Sequence, residues 1–281
     1  MPELALPDGE SRPVRRRTLA ILVFAVLAAA SVVGGALSGT VPGRTSSSDA
    51  PSAVASAAVA TPTPRATPAS LLPPVPVPVF DRSARSIDDP ASAWVVVNKH
   101  RPLQPADYSP TDLVAVPVPH TWQPQLRQEA SAAVEQMFAA ARDEAGLTLA
   151  SNSAYRGFAA QTRVYDAAVA ARGVASADSS IARPGSSEHQ TGLAIDVGAE
   201  SGRCSLQACF GDTPEGLWLA ENAVRFGFLL RYPADKVAVT GYEFEPWHFR
   251  FIGADLATEM HDQGITTLEE FFGLPAAPGY S

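Results

Sequence analysis

Two histidines and two carboxylates in this 281-residue chain have the types and spacing of a metal-dependent hydrolytic site. His189 precedes Asp196 by seven positions in "SSEHQTGLAIDVG", and Glu245 precedes His248 by three in "EFEPWHFRF". A catalytic zinc takes three protein ligands, among them imidazole nitrogen and carboxylate oxygen, and keeps a fourth position for water. His189, Asp196 and His248 supply that set. Two neutral imidazoles and one carboxylate leave such a site net positive, which draws the pKa of a water there from about 15.7 toward ~7. Asp196 adds weight, because an acid in the middle of "LAIDV" is costly to bury unless paired or metal-bound.

Attack by water also needs a proton acceptor. Glu245 is the candidate base and Glu188 its rival, although Glu188 abuts His189 and should point away from a metal that His189 faces. Pro246 favours an extended Glu245, and residues three apart on an extended segment face opposite ways. Glu245 and His248 therefore converge only if the chain turns at Pro246. Arg156, closing "SNSAYRG", is the cationic candidate, able to clamp a peptide carboxylate or stabilise an oxyanion. Ser153 and Gln161 could hydrogen-bond substrate, and Trp247 reads as core or pocket wall. Tyr155 and Ser187, in the same stretches, complete the substrate-binding set. His100, His120 and His261 are read as structural.

The elements that must position these groups are set by periodicity. "PQLRQEASAAVEQMFAAARDEAG" places Leu126, Ala130, Val134, Met137, Phe138 and Ala141 on one helical stripe ended by Gly146. "RGFAAQTRVYDAAVAARG" predicts a second amphipathic helix, with Phe158, Gln161, Val164, Tyr165 and Ala168 on one face. A third starts at Thr213 as N-cap with Pro214 at its first position and runs to about Phe226. Strands are predicted at Trp94–Val97, within 147–155, and at "GLAIDVG", "FLLRY" and "EPWHFRFIG". His189 enters the "GLAIDVG" strand through a bend at "QTG". The short polar connection around 232–245 excludes a crossover helix, so the fold class is α+β: a small, mainly antiparallel sheet flanked by helices, carrying the zinc site.

Composition divides the chain. Residues 18–37 are uncharged and apolar and come directly after Arg15, Arg16 and Arg17, which predicts a transmembrane anchor with 1–17 in the cytoplasm. The alternative is a cleaved signal sequence, and either reading exports the rest of the chain. Residues 38–91, rich in Pro, Ala, Ser and Thr, bury too little apolar surface to order and read as a linker. The catalytic domain is placed at 92–274 and a tail at 275–281. Net charge is −8 with no basic stripe, which argues against nucleic acid as a partner. Cys204 and Cys209, the only cysteines, either close a small disulfide loop or remain free thiols.

"SAYRGFAAQ", "SSEHQTGLAIDVG" and "EPWHFRFIG", in this order, resemble the zinc D-alanyl-D-alanine carboxypeptidases of the VanY type, relatives of the VanX dipeptidases. The resemblance spans about residues 92–256. Its Ser-x-His-x-x-Gly-x-Ala-x-Asp pattern is met by Ser187, His189, Gly192, Ala194 and Asp196, and its Glu-x-x-His pattern by Glu245 and His248. It implies one Zn²⁺ held by His189, Asp196 and His248, Glu245 rather than Glu188 as base, and Arg156 at the substrate or transition state. The implied substrates are peptidoglycan stem peptides ending in D-Ala-D-Ala, which the exported, membrane-tethered domain read from residues 15–37 would meet outside the cell; the chain is expected to be a monomer. Rival expectations on the same site are a D-Ala-D-Ala dipeptidase, an L,D-carboxypeptidase or an endopeptidase, and, from another class, a non-catalytic wall-binding module. The cysteine-bearing "ESGRCSLQACFGDTP" departs from the pattern and would bear on specificity.

Overall fold

The computed structural model describes residues 79–281. The expected anchor or signal sequence at 18–37 and most of the expected linker lie outside the described residues. Among the described residues no helix is long and apolar enough to cross a membrane.

The centre is a four-stranded antiparallel sheet of β3 (Leu149–Ser153), β4 (Ala194–Ala199), β5 (Phe228–Leu230) and β6 (His248–Phe251), in the order β3-β4-β6-β5. Successive strand residues point to opposite faces. In β4, Ile195 and Val197 go to the core while Asp196 goes to the other face, and in β6 Phe249 and Phe251 do the same against His248 and Arg250. One pleat thus separates packing from chemistry.

The core face is covered by α1 (Gln128–Ala145), whose Ala130, Val134, Met137, Phe138 and Ala141 are buried along the anticipated stripe, with Leu126 just ahead of it. Gly146 ends α1 in the left-handed region at φ 67, which costs glycine little. A two-stranded hairpin, β1 (Leu113–Ala115) with β2 (Gln125–Arg127), precedes α1 and has no counterpart among the expected strands. Past the sheet's second strand, α4 (Pro214–Asn222) starts where expected, with the Thr213 hydroxyl accepting from the Gly216 amide, and continues as a 3₁₀ turn to Phe226.

Two expectations fail. Trp94–Val97 is buried but is no strand: the Val96 amide donates to the Ile87 carbonyl, while arginine side chains satisfy the carbonyls of Ala93, Val95 and Val96. The hydrogen-bonding demand that usually recruits a strand partner is met by guanidinium groups instead. The helix α2 (Phe158–Arg172) forms, yet its apolar face is not a core face: Gln161 is its buried residue, and Phe158 and Val164 are each more than a third exposed. Here α2, continued by the short α3 (Val174–Asp178), borders a cleft, so its apolar residues have no second layer to pack on.

Short α5 (Val237–Thr240), α6 (Ala254–Asp262) and α7 (Leu268–Phe272) close the other end. Leu256, Met260, Leu268 and Phe271 build a second apolar cluster with Trp94 and Ile252. Phe80 stacks on Trp94 at 5.6 Å, so packing begins ahead of the boundary drawn at 92. At the far terminus the buried Ala277 donates its amide to Val239, and the Tyr280 hydroxyl accepts from the Arg183 amide.

A fully buried charged layer ties these parts together. Arg231 donates to both Glu188 and Glu269, and Arg250 donates to Glu188, with none of the four side chains exposed. Removing one member of such a cluster strands a buried charge and costs ~3–5 kcal/mol.

Candidate metal centre

Sheet register builds the site. Asp196 on β4 pairs directly with His248 on β6 and, past a bulge in β3, with Ser153. Directly opposed residues share a face, so a row of Ser153, Asp196 and His248 crosses the sheet. His189 arrives from a 3₁₀ turn, Glu188–Thr191, closed by Gly192 at φ 67; the bend required at "QTG" is this turn. A Cβ on Gly192 would also meet Leu113 Cδ2 at 2.9 Å, a second reason for glycine there.

The donor atoms converge. His189 Nε2 lies 3.3 Å from Asp196 Oδ2, and His248 Nδ1 lies 3.3 Å from Asp196 Oδ1. These contacts run to the two different oxygens of Asp196, and one donor atom from each of the three residues lies within 4.8 Å of the others, close enough to face a single ion. Asp196 Oδ1 is buried and accepts no hydrogen bond, leaving a lone pair that a cation would satisfy. His189 Nδ1 donates to the Ala154 carbonyl at 2.7 Å, which leaves Nε2 unprotonated toward the other donors. The three residues are the metal-binding cluster among the described residues, with no fourth protein ligand joining them.

Glu245 stands beside this cluster, its Oε2 3.7 Å from His248 Nδ1. The turn demanded at Pro246 is present, with the His248 amide donating to the Glu245 carbonyl. Burial pushes the Glu245 carboxyl up to about 8, and the Asp196 charge adds to that against the pull of His248 and Arg156. Burial also disfavours a charged His248, but the Asp196 and Glu188 carboxylates beside its two ring nitrogens override it and raise His248 to about 9. Asp196 stays well below the usual carboxylate range despite burial, because both imidazoles face it. Burial lowers His189, so this ring is the neutral one. Glu188, the rival base, also borders the cavity, but its carboxylate is taken up by Arg231 and Arg250, with Oε2 beside His248 Nε2, and stays ionised.

The site opens into a cavity of about 580 Å³ lined by Ser153, Arg156, Ser187, Trp247 and the metal cluster, within the range of ligand pockets. Arg156 is held by two contacts, Nε to Gln161 Oε1 at 2.5 Å and Nη1 to Ser153 Oγ at 3.2 Å. Gln161 is fully buried, donates in turn to the Ala182 carbonyl, and does not line the cavity. It orients the arginine. Tyr155 is also outside the cavity, its hydroxyl 2.9 Å from Ser109 Oγ. It lies past the end of β3 at Ser153, where strand alternation no longer sets its direction.

Sequence reasoning missed Tyr232, which packs its ring 4.8 Å from that of His248, and Arg250, two residues after His248 on the same face. The period of two in "HFRF" was the available signal for Arg250. The Cys204–Cys209 pair is bonded, and Leu206, Gln207 and Ala208 inside that loop form part of the cavity rim. Val164 of α2 lies on the rim as well, which explains its exposure.

Comparison with known proteins agrees with this geometry. Residues 123–254 match the family model described as VanY, D-alanyl-D-alanine carboxypeptidase. The putative carboxypeptidase YodJ of Bacillus subtilis is 40% identical over 192 residues, covering 66% of this chain and 69% of that protein. The solved structure of the LdcB LD-carboxypeptidase, described for its peptidoglycan recognition, is 40% identical with a TM-score of 0.61, covering 66% of this chain and 87% of that one. A mutant of the D,D-pentapeptidase VanY from a VanB-type vancomycin resistance cassette, solved with Zn(II), is 33% identical with a TM-score of 0.53, covering 63% and 97%. The chain belongs to the VanY family of D-alanyl-D-alanine carboxypeptidases.

Proposed function

We propose that this chain is a zinc-dependent D,D-carboxypeptidase that removes the terminal D-alanine from peptidoglycan stem peptides. The carrying observation is the three-donor cluster of His189, Asp196 and His248 with an unused carboxylate, Glu245, beside it and no fourth protein ligand among the described residues. A structural zinc site is closed by a fourth ligand, whereas a catalytic one leaves room for water.

His189 Nε2, Asp196 and His248 Nδ1 would hold the ion. Bound there, zinc acidifies water and polarises the scissile carbonyl. Glu245 takes the proton from the attacking water on its carboxylate and delivers it to the amine nitrogen as the C–N bond breaks. The products are free D-alanine and a stem peptide ending in a new carboxylate. Arg156, immobilised by Gln161 and Ser153, presents its guanidinium to the substrate's terminal carboxylate or to the developing oxyanion. Preorganisation by Gln161 lowers the entropy lost when Arg156 engages its partner. Ser187 and Trp247 wall the peptide's approach.

L,D-carboxypeptidase activity is the second reading, favoured by the higher identity to the LdcB LD-carboxypeptidase than to the D,D-pentapeptidase. Incubation with a stem pentapeptide ending in D-Ala-D-Ala and with the corresponding tetrapeptide separates the two. Release of D-alanine from the pentapeptide supports the first reading, and release from the tetrapeptide alone replaces it with the second. The apolar stretch 18–37 after Arg15–Arg17 and the bonded cysteines support an extracytoplasmic, membrane-tethered domain.

A further inference from the structure

Glu188 is a buried carboxylate for which the proposed chemistry has no use, and its surroundings leave it almost no freedom. Oε1 accepts from Arg231 Nε at 2.8 Å and from Arg250 Nη1 at 2.9 Å. The remaining oxygen, Oε2, meets His248 Nε2 at 3.3 Å. Both arginines are fixed beyond Glu188. Arg231 makes a two-point contact with Glu269 of α7 at 2.7 and 2.9 Å, and Asn98 donates to the same carboxylate. Arg250 is anchored on the carbonyls of Ala93 and Val95. Two acids face two guanidinium groups, so the cluster is neutral in sum.

An ionised carboxylate accepts hydrogen bonds and donates none. The His248 imidazole nitrogen facing Glu188 then carries the proton; Nδ1 faces Asp196 at the same 3.3 Å, and under the zinc reading an ion shared with Asp196 would take the lone pair there. Ligating histidines are commonly oriented in this way by a carboxylate behind them.

We propose that Glu188 is a positioning residue for the metal centre, selecting the Nε2–H tautomer and the ring orientation of His248, and that its direct partners Arg231 and Arg250 hold it in place. The inference rests on the zinc reading. Adjacent residues then serve one ion by different routes: His189 ligates, and Glu188 orients the ligand from β6. Because β6 alternates, Arg250 lies on the face of His248 and reaches the same carboxylate.

The test uses the full chain, its E188Q and E269Q variants, and zinc alone as probe. Competition with a chromophoric chelator gives the zinc affinity, and Co²⁺ substitution gives the ligand-field bands. The proposal expects E188Q to lose about 10–100-fold in zinc affinity with shifted cobalt bands. E269Q, which disturbs the cluster without touching His248, should lower Tm but hold zinc within about twofold of wild type. Wild-type zinc affinity in folded E188Q, or an equal loss in E269Q, overturns the positioning role. If E188Q does not fold, ¹⁵N NMR of the zinc-loaded wild type decides: a proton on His248 Nε2 supports the proposal, and a proton on Nδ1 overturns it. A wild-type chain that binds no zinc overturns the metal reading and this proposal with it, whereas unchanged E188Q beside a zinc-binding wild type overturns this proposal alone.

Discussion

Replacing Glu245 by glutamine isolates the proposed proton carrier from the metal ligands. The variant keeps the size of the side chain, removes the titrating oxygen 3.7 Å from His248 Nδ1, and leaves His189, Asp196 and His248 untouched. A positioned general base contributes ~10²–10⁴-fold, equivalent to ~2.7–5.4 kcal/mol at ~1.36 kcal/mol per decade. The account therefore expects kcat for D-alanine release to fall by ~10²–10⁴-fold, with KM little changed, because Arg156 rather than Glu245 binds the peptide. Stability should move the other way. In the metal-free chain burial raises this acid to about 8, above its unfolded value, so the wild type loses stability as pH rises from ~4.3 toward that value. Glutamine cannot ionise, and metal-free E245Q should be at least as stable as metal-free wild type at pH 7. Kinetics on a stem pentapeptide, zinc content and thermal denaturation of the metal-free chains test all three statements. Activity within tenfold of wild type at equal zinc content would refute the assignment of Glu245.

Arg156→Lys keeps the charge but loses the fork that Gln161 and Ser153 hold; kcat/KM for the pentapeptide should drop by ~10–100-fold while zinc content stays at wild type, as read by steady-state kinetics and metal analysis. Reduction of Cys204–Cys209 frees the rim residues Leu206, Gln207 and Ala208, so KM should rise several-fold without loss of zinc, measured before and after thiol treatment. Zinc must displace the proton from His248, raised to about 9 in the metal-free chain. Apparent zinc affinity should thus climb ~tenfold per pH unit from pH 7 and flatten above that value, as followed by chelator competition.

The site was legible because metal chemistry restricts residue types. An acid inside "LAIDV", a histidine ahead of it and Glu-x-x-His spanning a proline each carry a cost that packing alone does not explain, and sheet register brings them together. Stripes facing a continuous core were legible too, as in α1. The face of α2 was not, because periodicity reports amphipathicity without saying whether the apolar side meets a core or lines a cleft. Trp94–Val97 has the composition of a strand, but the sequence does not reveal that Arg250 and Arg101 take its carbonyls. Gln161 reads from sequence as a hydrogen-bonding group for substrate; its role in holding the arginine depends on the Ala182 carbonyl, supplied from beyond α3. Side-chain direction alone sets Glu188 aside as a base, and the structure shows where that direction leads.

The most direct test of the central claim is metal content paired with D-alanine release. The purified full chain should hold one zinc, release D-alanine from a stem pentapeptide, lose that activity on chelation and regain it when zinc is restored. Undiminished release by a chain verified to be free of metal would contradict the account.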